Sequence, residues 1–254
     1  MRYVLDISYH GQAYAGWQRQ LNANSVQEEL EKAISNLLRK PTASTGAGRT
    51  DAGVHARQLI VHFDHEGELP RNFFYGVNGI LPHDIAVHRL LEPREQSFHA
   101  RFDAISRSYE YHLVLQKTPL AHGQSFWVRQ ELDFDKMNEA AKLMSNYQDF
   151  GSFCKAHADN KTNLCDLHHA YWERQGNLWV FHIKANRFLR GMVRAVVGTL
   201  LDVGKGKTSI EGFQKIIEGQ DRKLAGANVA ASGLFLTEVA YPEESLVPIF
   251  PAQD

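Results

Sequence analysis

The segment TGAGRTDAGVHARQ, residues 45–58, sets a single carboxylate, Asp51, between Arg49 and His55 in a run of glycine and alanine. Small residues let a bound molecule approach the backbone closely. A carboxylate beside a guanidinium, once ionised, serves as a nucleophile or a general base. Phosphate binding fits less well. A P-loop needs a lysine after its second glycine, but Gly48 and Gly53 are followed by Val54 and His55. A dinucleotide fingerprint needs a third glycine where Asp51 stands, and a carboxylate there repels pyrophosphate. An Asp bonded to its own backbone is also ordinary turn chemistry, so the loop needs companions before it signifies catalysis.

Arg190 and Arg194 lie four apart in FLRGMVRAVVGTLLDVG, 188–204, read as a helix with these arginines opposite its apolar stripe and Asn186 as its cap. Gly191 and Gly198 thin the basic face, and each costs about 1 kcal/mol in a helix interior unless something packs closely there. Tyr109 and Tyr111 alternate along a strand and share a face. Tyr14, Trp17 and Arg19 form an aromatic-basic cluster in a loop, of the exposed kind found on single-stranded nucleic-acid surfaces. A competing metal reading rests on two Cys-x-x-His pairs, Cys154/His157 and Cys165/His168. A strand through 165–172 would send Cys165 and His168 to opposite faces, which disfavours a shared ion.

The elements that must hold these groups follow from periodicity. Strand patterns fall at 3–9, 58–63, 84–91, 107–115, 233–241 and in a hairpin turning at Gly176-Asn177. Helical patterns fall at 25–40, opened by a Ser25/Glu28 capping box, at 70–80, at 135–147 with Asp135 as N-cap, at 188–204 and from Thr208 with a Thr208/Glu211 box. Both halves, 1–104 and 105–254, thus read β-α-β-β-α-β. The order indicates an α+β fold of two ferredoxin-like units, with antiparallel sheets able to join, helices on one face and a groove between the halves. The tail beyond Tyr241, with three prolines, reads as irregular.

Composition narrows the class further. The 254 residues are 43% hydrophobic and 22% charged, with a net charge of −1, so any polyanion must meet a local basic patch. No apolar run is long enough for a membrane span, and two cysteines point to a reducing cytoplasm rather than a disulfide scaffold.

Six segments occur in order: YHGQAYAGWQRQ, SVQEELEKAI, GAGRTDAGVHA, VNGILPHDIAV, FHARFDAISRSYEY and RFLRGMVRAVVGTLLDVG. Together they resemble the tRNA pseudouridine synthase A family from about Tyr3 to Tyr241. The resemblance implies cofactor-free conversion of uridine to pseudouridine at positions 38–40 of the tRNA anticodon stem-loop. It implies no resident metal, and a homodimer that holds the tRNA. Residue by residue, it assigns Asp51 as the catalytic aspartate, Tyr109 as the active-site tyrosine, Arg194 as the cation paired with the aspartate, and Arg49 as an aid to flipping the base. Tyr14, Trp17, Arg19, Arg101 and Arg190 become candidate RNA contacts.

Overall fold

The computed structural model describes residues 1–155 and 161–250. The fold is α+β, and its strands pair almost entirely antiparallel. Contacts divide the chain into two compact units, Met1–Ile105 together with the stretch from Leu236, and Ser106–Phe235. A division at 104/105 would place that closing stretch in the second half; by its contacts it groups with the first. Among the described residues no helix is long and apolar enough to cross a membrane.

The sheet of the first unit is built around β1 (Arg2–Tyr9), paired antiparallel with β3 (His55–Asp64) on one side and β4 (Ile85–Pro93) on the other. A short strand, β2 (Ser44–Gly46), adds to β3 and leads directly into the glycine loop. Helix α1 (Val26–Leu38) begins where its capping box places it, with Ser25 Oγ accepting from Glu28 N at 3.3 Å. It buries Val26, Leu30, Ala33 and Ile34 completely. Helix α2 (Phe73–Ile80) is held to β4 by Asn78, whose amide donates to the Val87 carbonyl at 2.9 Å and accepts from Val87 N at 2.8 Å.

In the second unit, β5 (Ser106–Val114) pairs antiparallel with β8 (Leu178–Ala185), which forms the expected hairpin with β7 (Leu167–Gln175) through Gly176 at φ 62°. The two-residue β6 (Phe126–Trp127) runs parallel to β5. Helices α3 (Phe134–Leu143), α4 (Met192–Gly204) and α5 (Ile210–Glu218) complete the unit. Strand β9 (Leu234–Ala240) follows them.

Four local expectations change. The tail is not wholly irregular: β10 (Leu246–Phe250) pairs with β4 as an edge strand, where Pro248 is tolerated because one side of such a strand needs no amide donor. Asp133, not Asp135, caps α3, its carboxylate accepting from Lys136 N at 3.0 Å. Ser209, not Thr208, caps α5, accepting from Gly212 N at 3.0 Å. Helix α4 starts only at Met192, because the chain turns at Gly191 with φ 74°, a region that suits glycine. Arg190 therefore precedes the helix, and Asn186 does not cap it. Asn186 instead donates to Asp166 Oδ2 at 2.7 Å and accepts from Asp166 N at 2.9 Å.

Once formed, α4 is buried nearly all round rather than along one stripe. Gly198 explains how close its neighbours come: a Cβ there would lie 1.9 Å from the Ala227 carbonyl oxygen. Gly198→Ala should therefore lose about 2–3 kcal/mol of unfolding free energy by overpacking. Gly79→Ala, on α2 with no atom within 4 Å of the new methyl, should instead gain up to about 1 kcal/mol. Urea titrations of the two variants should move in opposite directions.

Candidate active site

The Asp51 loop bridges β2 and β3, and its shape is set by a second loop, residues 10–17, which follows β1. The β2/β3 ladder runs one bond past the strand, from Ala47 N to the Ile60 carbonyl at 2.8 Å. Trp17 N then donates to the Thr50 carbonyl at 3.3 Å, and Gly53 N to the Tyr14 carbonyl at 3.2 Å, so backbone bonds grip the loop on both sides of Asp51. Between them, Val54 N donates to the Asp51 carbonyl at 3.2 Å, closing a turn in which Gly53 takes φ 77°.

The approach of the two loops requires glycine. A Cβ on Gly16, itself at φ 103°, would lie 2.3 Å from the Thr50 oxygen and 3.1 Å from the Asp51 carbonyl carbon. A Cβ on Gly11 would lie 1.9 Å from the Val54 oxygen. Side chains add to the grip. Thr50 Oγ1 and the Tyr9 hydroxyl share a buried hydrogen bond of 2.8 Å. Gly11 N donates to His55 Nδ1 at 3.1 Å, so that nitrogen carries a lone pair rather than a proton. Asp51 itself is half-buried and Arg49 is exposed.

Tyr14 and Trp17 belong to this scaffold rather than to an open surface. They are 5% and 2% exposed, which corrects the expectation of exposed stacking aromatics. The Trp17 ring covers Gly46, where a Cβ would sit 2.7 Å from it. The Tyr14 hydroxyl donates to Asp84 Oδ1 at 2.6 Å, and burial followed by that carboxylate pushes its pKa well above the usual phenol range. Arg19 is exposed and pairs with Glu31 at 3.3 Å. Arg101 is exposed on a loop following Phe98. The next residue back, Ala100, donates its amide to His62 Nδ1 at 3.2 Å. Burial, then the nearby Arg2 charge, lowers the pKa of His62 to about 4.

Tyr109, Arg190 and Arg194 belong to the second unit. Tyr109 is half-buried, its ring edge-on to Phe188 at 5.1 Å, while Tyr111 on the same strand face is fully buried. Arg194 occupies the first turn of α4, half-buried, and its Nε donates to the Val229 carbonyl at 2.8 Å. The Tyr111 hydroxyl donates to the next carbonyl, Ala230, at 3.0 Å. Burial raises the Tyr111 pKa, and the Arg194 charge opposes that rise. Arg190 is exposed, and its carbonyl accepts from Lys155 N at 2.8 Å.

Sequence reasoning passed over Tyr9, Thr50 and the 226–230 segment. Gly11 and Gly16, flanking Tyr14 in the same loop, were the available signal for the first two. Of the metal reading, His157 lies outside the described residues. Cys165 is buried, and burial lifts its thiol to about 11, whereas His168 is exposed on β7. Among the described residues no group of three or more His, Cys, Asp or Glu could hold a metal ion.

A family profile described as tRNA pseudouridine synthase matches residues 140–242, the part of the chain that carries Arg194. Full-length relatives extend the likeness to the Asp51 loop. Over 255 aligned positions the chain is 47% identical to a Parabacteroides distasonis protein named tRNA pseudouridine synthase A, covering 100% of this chain and 99% of the relative. The protein of that name from Bacteroides thetaiotaomicron is 48% identical over 96% of this chain and 91% of its own length. The one from Aliivibrio fischeri strain MJ11 is 42% identical over 99% and 97%. The chain belongs to the tRNA pseudouridine synthase A family.

Two measurements check this geometry. Gly16→Ala forces a methyl into the Thr50 carbonyl, so it should cost about 2–3 kcal/mol of stability and reduce activity beyond the folded fraction lost. His62 is unprotonated when folded down to about pH 4, yet titrates near 6.5 once unfolded. Between those values the unfolded chain binds more protons, so unfolding free energy should fall as pH drops from 6.5 towards 4. His62→Asn, whose side-chain oxygen can take the same amide, should remove that part of the slope in urea titrations.

Proposed function

We propose that the protein is an RNA-modifying isomerase that converts uridine to pseudouridine at positions 38, 39 and 40 of the tRNA anticodon stem-loop, without a cofactor. The observation that carries this reading is a half-buried carboxylate on a loop fixed by backbone bonds on both sides, in a chain of this family. In the reaction the N1–C1′ bond breaks, the uracil turns within the site and C5 bonds to C1′. The proton of C5 is released and N1 gains one. Asp51 serves as nucleophile on the sugar or the base, or as the base that removes a ribose proton. Every one of these routes needs it ionised.

The other residues take roles from the same resemblance. Arg194 is the cation that the resemblance pairs with Asp51. Its guanidinium is already oriented by the Val229 carbonyl. Tyr109 stacks on the extruded uracil, a contact worth roughly 1–3 kcal/mol, and its hydroxyl is the candidate group for handling the C5 proton. Arg49, exposed beside Asp51, helps displace the target base, whose removal from the stack costs a few kcal/mol. Arg19, Arg101 and Arg190 are exposed and suited to contacts with the RNA backbone. We take both halves of the chain as ferredoxin-like units, the first carrying Asp51 and the second Tyr109 and Arg194. The enzyme works as a homodimer in the cytoplasm.

The test uses an anticodon stem-loop RNA tritiated at C5 of its uridines. Wild type should release tritium to water. Asp51→Asn should slow release more than about 10³-fold while binding the RNA within about threefold of wild type. Normal turnover by Asp51→Asn would overturn the role given to this carboxylate.

A further inference from the structure

We propose that Phe102, with Arg101 and His99, is a stacking platform for an unpaired base of the RNA substrate, an inference that rests on the proposed activity for the identity of its occupant. Phe102 is 73% exposed. A single exposed apolar side chain is unremarkable on any protein; what sets this one apart is the rigidity of its support. All five backbone amides from His99 to Asp103 have an acceptor. His99 N donates to Asp103 Oδ2 at 2.7 Å, Ala100 N to His62 Nδ1 at 3.2 Å and Arg101 N to His99 Nδ1 at 3.1 Å. Phe102 N and Asp103 N donate to the His99 carbonyl at 3.1 and 3.0 Å.

The loop is also anchored from below. Phe98 and Ala100 are buried, and the Ala100 carbonyl accepts from the Tyr241 hydroxyl at 2.5 Å. The Phe98 carbonyl accepts from Arg2 at 2.6 Å. A ring held in water by a loop this well bonded loses little freedom on binding. The His99 ring lies 4.3 Å from Phe102, and the Arg101 guanidinium stands 5.6 Å over it. An aromatic face beside an arginine fits a base with its phosphate, the base stacking and the cation meeting the charge. Phenylalanine has no polar atom with which to read base identity, so such a contact tolerates any sequence. That suits an enzyme proposed to act at three different positions of one stem-loop. The carboxylate of Asp103 is engaged by His99 N.

Binding of stem-loop RNA and of full-length tRNA is measured in the Asp51→Asn background, where no turnover intervenes, alongside KM in the active enzyme. Phe102→Ala and Phe102→Leu should both weaken binding by about 5- to 100-fold, and Phe102→Trp should restore it, with indole emission quenched by RNA. The salt dependence of Phe102→Ala should match wild type, whereas Arg101→Ala should lower the slope by about 1. Melting temperatures should not move, because the ring touches little of the fold. Binding of Phe102→Ala within about twofold of wild type would overturn the platform, as would a loss that Trp does not restore or one that tracks a lower melting temperature. If wild type failed to release tritium yet the Phe102 effects held, the activity reading alone would fall.

Discussion

The carbonyl of Thr50 lies against the α-carbon of Gly16, and the conformation of the Asp51 loop depends on that contact. Nothing larger than hydrogen fits between the two chains, so the loops meet backbone to backbone and exchange bonds at Trp17–Thr50 and Tyr14–Gly53. Bonds of this kind leave little rotameric freedom. The second unit uses the same device, where Gly198 admits the Ala227 carbonyl and the following residues present acceptors to Arg194 and Tyr111. In both units main-chain groups fix the segment that carries a candidate site residue.

Further support for the Asp51 loop comes from a buried polar network on α1. Glu31 accepts from Ser44 N at 2.8 Å, from Ser44 Oγ at 3.1 Å and from Gln27 at 3.1 Å, and also pairs with Arg19. Gln27 in turn donates to the Ser44 carbonyl at 2.8 Å and accepts from Arg19 N at 2.9 Å. A carboxylate this buried is tolerated because its oxygens are bonded. The helix is thereby registered against both β2 and the segment that follows Trp17, the two routes into the site. Leaving one partner unmatched would strand a buried polar group, so the network acts together.

Much of this was legible in sequence, for identifiable reasons. Alternation located the strands, because one buried face imposes a period of two, and the Ser25/Glu28 spacing marked the start of α1 correctly. Asp51 stood out because small residues around a lone carboxylate are chemically unusual. Errors gathered where tertiary contacts override local signals. Tyr14 and Trp17 looked like surface aromatics because composition cannot say which side of a loop is covered. Asp133 and Asp135, or Ser209 and Thr208, differ as caps only in backbone angles at neighbouring positions. Helix α4 looked amphipathic because its arginines are conspicuous, although Gly191 breaks the phase ahead of it. The pairing of β10 with β4 joins segments far apart in the chain, on a strand holding a proline, and no local pattern announces it.

That pairing bears on how the protein comes into being. The first unit needs residues from both ends of the chain, since Val239 N bonds to Gln58 Oε1 at 2.9 Å and Tyr241 to Ala100, while β10 seals the edge at β4. The second unit is one uninterrupted stretch. During synthesis, at about 5–20 residues per second, the part translated second is therefore the first that can be completed. The half bearing Asp51 waits with an unpaired strand edge at β4 until β10 has emerged. A nascent chain cut short near residue 235 would hold a whole second unit and an unfinished first one, the one that carries the Asp51 loop.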